Sequence, residues 1–285
     1  MAARIDFDYL RGLAESPEDR AVLNRIERDR ETLLSGGSLE APGSRLELSL
    51  VLTPEFIDSE PPKRLRLALR SDLAPASMDT FLEVFRDRAH ALLPGFDSVA
   101  NDTVVDLGAN EGYYTLRMKM LNPGLRVVAA EPVRENAELF RANLEANEIG
   151  GVEIRETAVT DRLGSVALET LPHVGTVAST DIFAFPRPWI RSEMIESRTV
   201  PTTTLPALLE DNGVDEAEIL KIDVEGSEVA ILSSSREQLR RFKRIVVECH
   251  GAEARHSVRE ILESQSFSCI HEGAKRSGDL YFLRR

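Results

Sequence analysis

Three stretches of this chain place acids, glycines and a histidine at the spacing with which a parallel sheet would present them to a ligand. The first is Thr103-Val104-Val105-Asp106-Leu107-Gly108-Ala109-Asn110-Glu111-Gly112-Tyr113-Tyr114. Val104 and Val105 suit a strand buried on both faces. Gly108 and Gly112 remove side chains where backbone must turn tightly or approach a ligand. The spacing is Asp-x-Gly-x-x-x-Gly, not the Gly-x-Gly-x-x-Gly that brings a pyrophosphate against a helix N-terminus. Asp106, Asn110 and Glu111 make the turn one that suits a ligand carrying positive charge. The second stretch is Glu131-Pro132, at the end of the next strand pattern, where a carboxylate can accept both hydroxyls of a ribose. Together the two strand-end acids read as a nucleoside site, and the cationic nucleoside S-adenosylmethionine (SAM) fits it. NAD fits less well, because the middle glycine is missing.

The third stretch is Lys221-Ile222-Asp223-Val224-Glu225-Gly226, followed by Glu248-Cys249-His250 on a neighbouring strand. Asp223 ends the strand expected beside the first, across the switch in strand order where open α/β sheets bind ligands. A carboxylate there could orient or deprotonate an acceptor hydroxyl, or hold a divalent cation. Lys221 alternates onto the same strand face and could pair with it. His250 titrates in the range useful to a general base. Asp223, Glu248 and His250 would be the ligands of a metal, although no metal is expected. His173 reads as surface decoration.

These residues need a scaffold, and strands alternate with helices from residue 103 onward, the pattern of a parallel sheet covered on both faces. Val104–Leu107, Val127–Ala130, Val152–Val159, Glu218–Asp223 and Arg244–Glu248 are the expected strands, with a closing hairpin at Ser268–His271 and Asp279–Leu283. Residues 170–200 interrupt the alternation, and Phe183, Phe185, Trp189 and Ile190 suggest an ordered lid. Before residue 99 the pattern is helical over 4–35, with Ser16-Pro17-Glu18-Asp19 reading as an N-cap, a first-turn proline and dipole-compatible acids and Gly36-Gly37 as the stop, then strands at Arg45 to Leu52 and around Leu65, Leu67 and Leu69, then a helix from Ser77 to Leu93 ended by Pro94-Gly95. The expected organisation is an N-terminal extension, 1–98, packing on a catalytic domain, 99–285, with a substrate lid near 170–200.

Composition narrows the partners. The 285 residues carry a formal net charge of −13, which argues against nucleic acid. The basic cluster Arg236, Arg240, Arg241, Lys243 and Arg244 is expected to cap a helix and stay solvated. Two cysteines without metal spacing point to a reducing compartment. No run approaches the ~18 apolar residues of a membrane span. A soluble, cytoplasmic protein is the expectation, with a homo-oligomer left open.

The ordered set Asp106-Leu107-Gly108-Ala109-Asn110-Glu111-Gly112-Tyr113-Tyr114-Thr115, Glu131-Pro132, Lys221-Ile222-Asp223-Val224-Glu225-Gly226-Ser227-Glu228 and Glu248-Cys249-His250 resembles the FkbM-type methyltransferases. The resemblance implies a Rossmann-like SAM-dependent fold with strand order 3-2-1-4-5-7-6, strand 7 antiparallel. It also implies O-methylation of a hydroxyl on a sugar or natural product, so the acceptor would be a hydroxylated sugar, glycoside or polyketide. On this reading Asp106, Gly108, Asn110, Gly112, Tyr113, Glu131, Pro132, Thr157, Ala158 and Asp223 line the SAM, with Glu131 on the ribose and Glu156-Thr157-Ala158 near the adenine. Asp223, Glu225 or His250 would assist proton removal, and the acceptor would approach from the Trp189 side. N- or C-methylation and a SAM-binding, non-catalytic partner subunit remain the alternatives.

Overall fold

The computed structural model describes residues 5–35, 37–39, 41–57, 61–97, 102–170, 178–179, 195–273 and 277–285. His173, Thr176, Thr180, Asp181, Phe183, Phe185, Trp189 and Ile190 of the expected lid lie outside the described residues. The N-terminal region builds α1 (Phe7–Leu13), α2 (Pro17–Leu34), β1 (Arg45–Leu52), α3 (Pro54–Ile57), β2 (Lys63–Arg70) and α4 (Ala74–Phe85). Two of these depart from the sequence pattern. The helical stretch over 4–35 is interrupted where Ala14 leaves the helix to bridge Leu50, and α2 starts at the expected N-cap Ser16 with a capping box to Asp19. The helix expected to reach Leu93 ends at Phe85. Beyond it Arg88 and His90 take positive φ, 58° and 62°, and the His90 amide donates to Asp279 Oδ2 at 2.7 Å. A tertiary hydrogen bond outweighs the helical spacing of Leu92 and Leu93.

The chain continues with β3 (Thr103–Leu107), α5 (Tyr113–Leu121), β4 (Arg126–Ala130), α6 (Arg134–Ala146) and β5 (Val152–Arg155). Then come β6 (Ala158–Thr160), β7 (Gly164–Thr170), β8 (Ala178–Ser179), β9 (Glu196–Thr204) and α7 (Leu205–Asp211). The chain closes with β10 (Ala217–Ile222), α8 (Glu228–Ser234), α9 (Arg236–Leu239), β11 (Phe242–His250), α10 (Ala252–Ser264), β12 (Phe267–Glu272) and β13 (Ser277–Arg284). The main sheet runs β12-β13-β11-β10-β3-β4-β5. β3, β4, β5, β10 and β11 are parallel, and β13 is antiparallel to both neighbours. The order reverses between β3 and β10, which opens a crevice at their carboxyl ends.

The strand expected over Val152–Val159 is divided. β5 stays in the main sheet, while β6 joins a second, four-stranded sheet, β6-β9-β7-β8. β9 was not apparent in the sequence, because Pro201 argues against a strand interior. Pro201 is tolerated because the pairing of β6 with β9 begins only at Thr202.

Side chains of the main sheet alternate between two cores. Val104, Val127, Ala129, Ile219 and Val246 face a cluster shared by α5, α6 and the whole N-terminal region. Val105, Leu107, Val128, Leu220, Ile222 and Val247 face the other, under α7, α8 and α10. Among the described residues no helix is long and apolar enough to cross a membrane.

Candidate active site

The crevice forms where β3 and β10 diverge. Leu107 O accepts the Asp223 amide at 3.0 Å and Ala130 O accepts the Gly108 amide at 3.0 Å, so three strand ends are tied at one level. Gly108 has φ +75°, and a Cβ there would lie 1.7 Å from Asp223 O. No side chain fits between β3 and β10 at that point. Gly112 has φ +85° for a different reason, since its Cβ would meet the Phe140 ring at 2.0 Å. It lets α6 close on α5 and is no part of the cleft lining.

Asp106 is fully buried beneath the crevice. Its Oδ2 accepts from Thr115 Oγ1 at 2.8 Å, and its Oδ1 lies 3.1 Å from Lys221 Nζ. Lys221 also donates to Gly108 O at 2.8 Å and lies 3.6 Å from Asp223 Oδ2. Burial alone would pull the Lys221 ammonium down, but Asp106 and Asp223 outweigh it and hold the group above its ordinary pKa.

Above this floor, a cleft is lined by Gly108, Asn110, Ala130, Glu131, Pro132, Asn136, Thr157, Ala158, Val159, Thr160, Leu168, Asp223, Val224, Glu225 and Ser227. Glu131 accepts from the amides of Asn110 at 2.8 Å and Val133 at 2.9 Å, and from Asn136 Nδ2 at 3.3 Å. Burial nevertheless pushes its carboxyl up to about 7, against those hydrogen bonds. Asn110, held in the left-handed region at φ 52°, keeps its side-chain Oδ1 buried without a hydrogen-bond partner among the described residues. That acceptor on the cleft wall suits a polar ligand.

Beside Asp223 and Glu225 the crevice continues into a cluster of carboxylates and imidazoles. His250 Nε2 lies 3.3 Å from Glu225 Oε2 and 3.8 Å from Glu248 Oε1, and its Nδ1 is 3.3 Å from Glu228 Oε1. Burial would favour the neutral ring, but Glu228, Glu225, Glu248 and Asp223 push it up to about 9. Glu248 is pushed up to about 7, chiefly by burial and then by Asp223.

The second imidazole, His90, was not visible in the sequence. Its Nε2 lies 3.6 Å from Asp223 Oδ2 and 3.9 Å from Glu248 Oε2, while Nδ1 is 2.7 Å from Asp279 Oδ1. Asp279 also accepts from the Tyr281 hydroxyl at 2.9 Å. Burial lowers the His90 pKa, but Asp279 overrides it and the ring rises to about 9. Asp279 falls correspondingly to about 2, its burial outweighed by His90.

A sequence profile described as the methyltransferase FkbM domain matches residues 106–269, more than half of the chain. The chain belongs to the FkbM methyltransferase family. Methyltransferase sdnD of Sordaria araneosa is 22% identical over 264 residues, covering 83% of this chain and 97% of the relative. The 31-O-demethyl-FK506 methyltransferase FkbM of Streptomyces tacrolimicus is 26% identical over 219 residues, covering 67% and 82%. Among solved structures, Aeropyrum pernix fibrillarin with bound S-adenosyl-L-methionine aligns at TM-score 0.42 and 10% identity over 67% of this chain and 69% of its own.

Within this FkbM methyltransferase, the structure brings Gly108, Asn110, Glu131, Pro132, Thr157, Ala158, Asp223 and Glu225 to one cleft. Other expected residues lie elsewhere. Glu156 turns outward to Arg141, 2.7 Å away. Glu111 is buried under α4, accepting from Ser77 Oγ at 2.7 Å and the Tyr113 hydroxyl at 3.0 Å. Tyr113 therefore faces the N-terminal region, its ring 6.1 Å from that of Phe81. The histidine that forms a possible ligand set with Asp223 and Glu248 is His90 rather than His250. The basic cluster is largely engaged: Lys243 and Arg244 pair with Glu218, and Arg241 donates to Val214 O at 2.9 Å.

Proposed function

We propose that this FkbM methyltransferase uses SAM to methylate a hydroxyl of a small molecule, a sugar, glycoside or polyketide. The observation that carries the reading is a single crevice with two chemistries. One end is a glycine turn backed by Glu131, and the other is a group of carboxylates at the ends of β10 and β11. SAM fits the first end: Gly108 leaves room against backbone, Asn110 offers a buried acceptor, and Glu131 can meet ribose hydroxyls. When bound there, SAM supplies a sulfonium-activated methyl group. Thr157 and Ala158, on the turn into β6, flank the place of its base, and Asp223 and Glu225 border the reacting end.

The chain's own contribution is orientation and charge. Holding an acceptor oxygen in line with the methyl supplies much of the acceleration. Asp223, Glu225 and Glu248 can accept hydrogen bonds from the hydroxyl and take its proton as the oxygen becomes an ether. The Streptomyces relative's name describes methylation at an oxygen of an FK506 precursor, which supports an oxygen acceptor here.

Isothermal titration of SAM into the full chain tests the donor site. One equivalent should bind, and Gly108→Ala should abolish binding. Well-folded protein that gives no heat with SAM, or binds NAD instead, overturns the reading. A screen of hydroxylated sugars, glycosides and polyketides, read by S-adenosylhomocysteine release, tests the acceptor. A product methylated at nitrogen or carbon would replace the O-methyl assignment.

A further inference from the structure

We infer that His90, Asp223 and Glu248 form a binding site for one divalent cation of the Mg²⁺/Mn²⁺ type, beside the proposed methyl-transfer point. The three ligands come from three separate elements: the segment after α4, the end of β10 and the end of β11. His90 Nε2 lies 3.6 Å from Asp223 Oδ2 and 3.9 Å from Glu248 Oε2, and one ligand atom from each residue lies within 4.8 Å of the others. A cation about 2.1 Å from each ligand needs ligand atoms roughly 3–3.5 Å apart, so small side-chain movements complete the set.

A second observation concerns the far side of the imidazole. Nδ1 meets Asp279 Oδ1 at 2.7 Å, and Asp279 Oδ2 is itself held by the His90 amide and the Tyr281 hydroxyl. A carboxylate fixed on one ring nitrogen sets the tautomer and aims the other nitrogen's lone pair, the usual support of a metal-bound histidine. Here that nitrogen lies 3.6 Å from Asp223 Oδ2 and 3.9 Å from Glu248 Oε2, so an entering cation takes the place of the ring's Nε2 proton between the two carboxylates. One imidazole with two carboxylates suits Mn²⁺ or Mg²⁺ with water completing the shell. The site stands independently of the methyl-transfer reading. The ion's role rests on it: bound beside Asp223 on the cleft wall, it would orient the acceptor oxygen and make its hydroxyl more acidic, leaving Glu225 to receive the proton.

Mn²⁺ titrated into metal-stripped full-length protein, with free Mn²⁺ read by electron paramagnetic resonance, tests the site. One Mn²⁺ per chain is expected. Glu248→Gln, which keeps shape and removes charge, and His90→Ala should each weaken binding at least about 10-fold, and Asp279→Asn roughly 10- to 100-fold. Circular dichroism of each variant separates lost binding from lost fold. Three outcomes overturn the site: no binding by folded wild-type protein at millimolar Mn²⁺, binding lost in folded His250→Asn but kept in His90→Ala, or stoichiometric release of Mn²⁺ on adding SAM. The last would mean that the carboxylates serve the sulfonium. SAM titration of the same preparation reports the donor site separately, so either reading can fail alone.

Discussion

Lys221 joins the two strands at the reversal point through one ammonium serving Gly108 O, Asp106 Oδ1 and Asp223 Oδ2. Both Lys221 and Asp106 are buried, and removing one member of a buried pair leaves an uncompensated charge. Lys221→Met is expected to cost about 3–5 kcal/mol, measured by urea denaturation. Adding Asp106→Asn should recover much of the loss, because the orphaned charge disappears. If the double variant is no more stable than the single one, the pairing argument fails. At this scale the glycine turn was legible, since Asp-x-Gly-x-x-x-Gly is a local pattern with a local cause. The separation of roles inside it was not. Asp106 and Gly112 belong to the floor and the helix contact, and only Gly108 and Asn110 reach the cleft.

The elements show how the N-terminal region is attached. β1 and β2 form a two-stranded ribbon, and the free edge of β2 is closed by two asparagines one turn apart, Asn143 on α6 and Asn147 at its C-cap. Asn143 Oδ1 accepts the Ala68 amide at 2.7 Å and its Nδ2 donates to Glu111 O at 3.1 Å. Asn147 makes the corresponding pair with Arg66, 2.9 Å to the amide and 2.6 Å to the carbonyl. Asn143 is fully buried, so Asn143→Leu strands a buried amide and a buried carbonyl. A loss of about 1–3 kcal/mol per stranded group is expected, with a smaller effect at half-buried Asn147. Equal losses in denaturant titrations would refute the burial argument. The helix itself was readable from its spacing, but nothing local distinguishes these asparagines from solvated ones.

For the whole molecule, the buried titratable groups bias stability toward acid pH in metal-free buffer. Glu131 and Glu248 rise from 4.5 to about 7. The native state thus keeps protons that the unfolded chain has released, and this stability is lost as pH rises through 7. His90 and His250 rise from 6.5 to about 9, so their contribution is complete below 6.5 and lost as pH rises through 9. Asp279, lowered from 3.8 to about 2, acts oppositely and loses its contribution only as pH falls through 2. The melting temperature should therefore fall steadily from about pH 5 to about pH 9. The pair His90→Gln and His250→Gln should flatten the upper part of that slope. Calorimetry across this range checks it, and a rising profile would contradict the assignments.

By itself, the sequence determined the alternating strands and helices, the glycine turn and the acids at the ends of β3, β4, β10 and β11. Each of these depends on residues a few positions apart, through periodicity, turn geometry and strand-end placement. Only the tertiary structure decided which histidine faces Asp223 and Glu248. His90 reaches its orienting acid Asp279 across 189 residues, at the price of a helix stopped short at Phe85 and a left-handed backbone. A contact of that separation leaves no periodic trace, because it is set by how the N-terminal region packs on the same sheet face as α5 and α6.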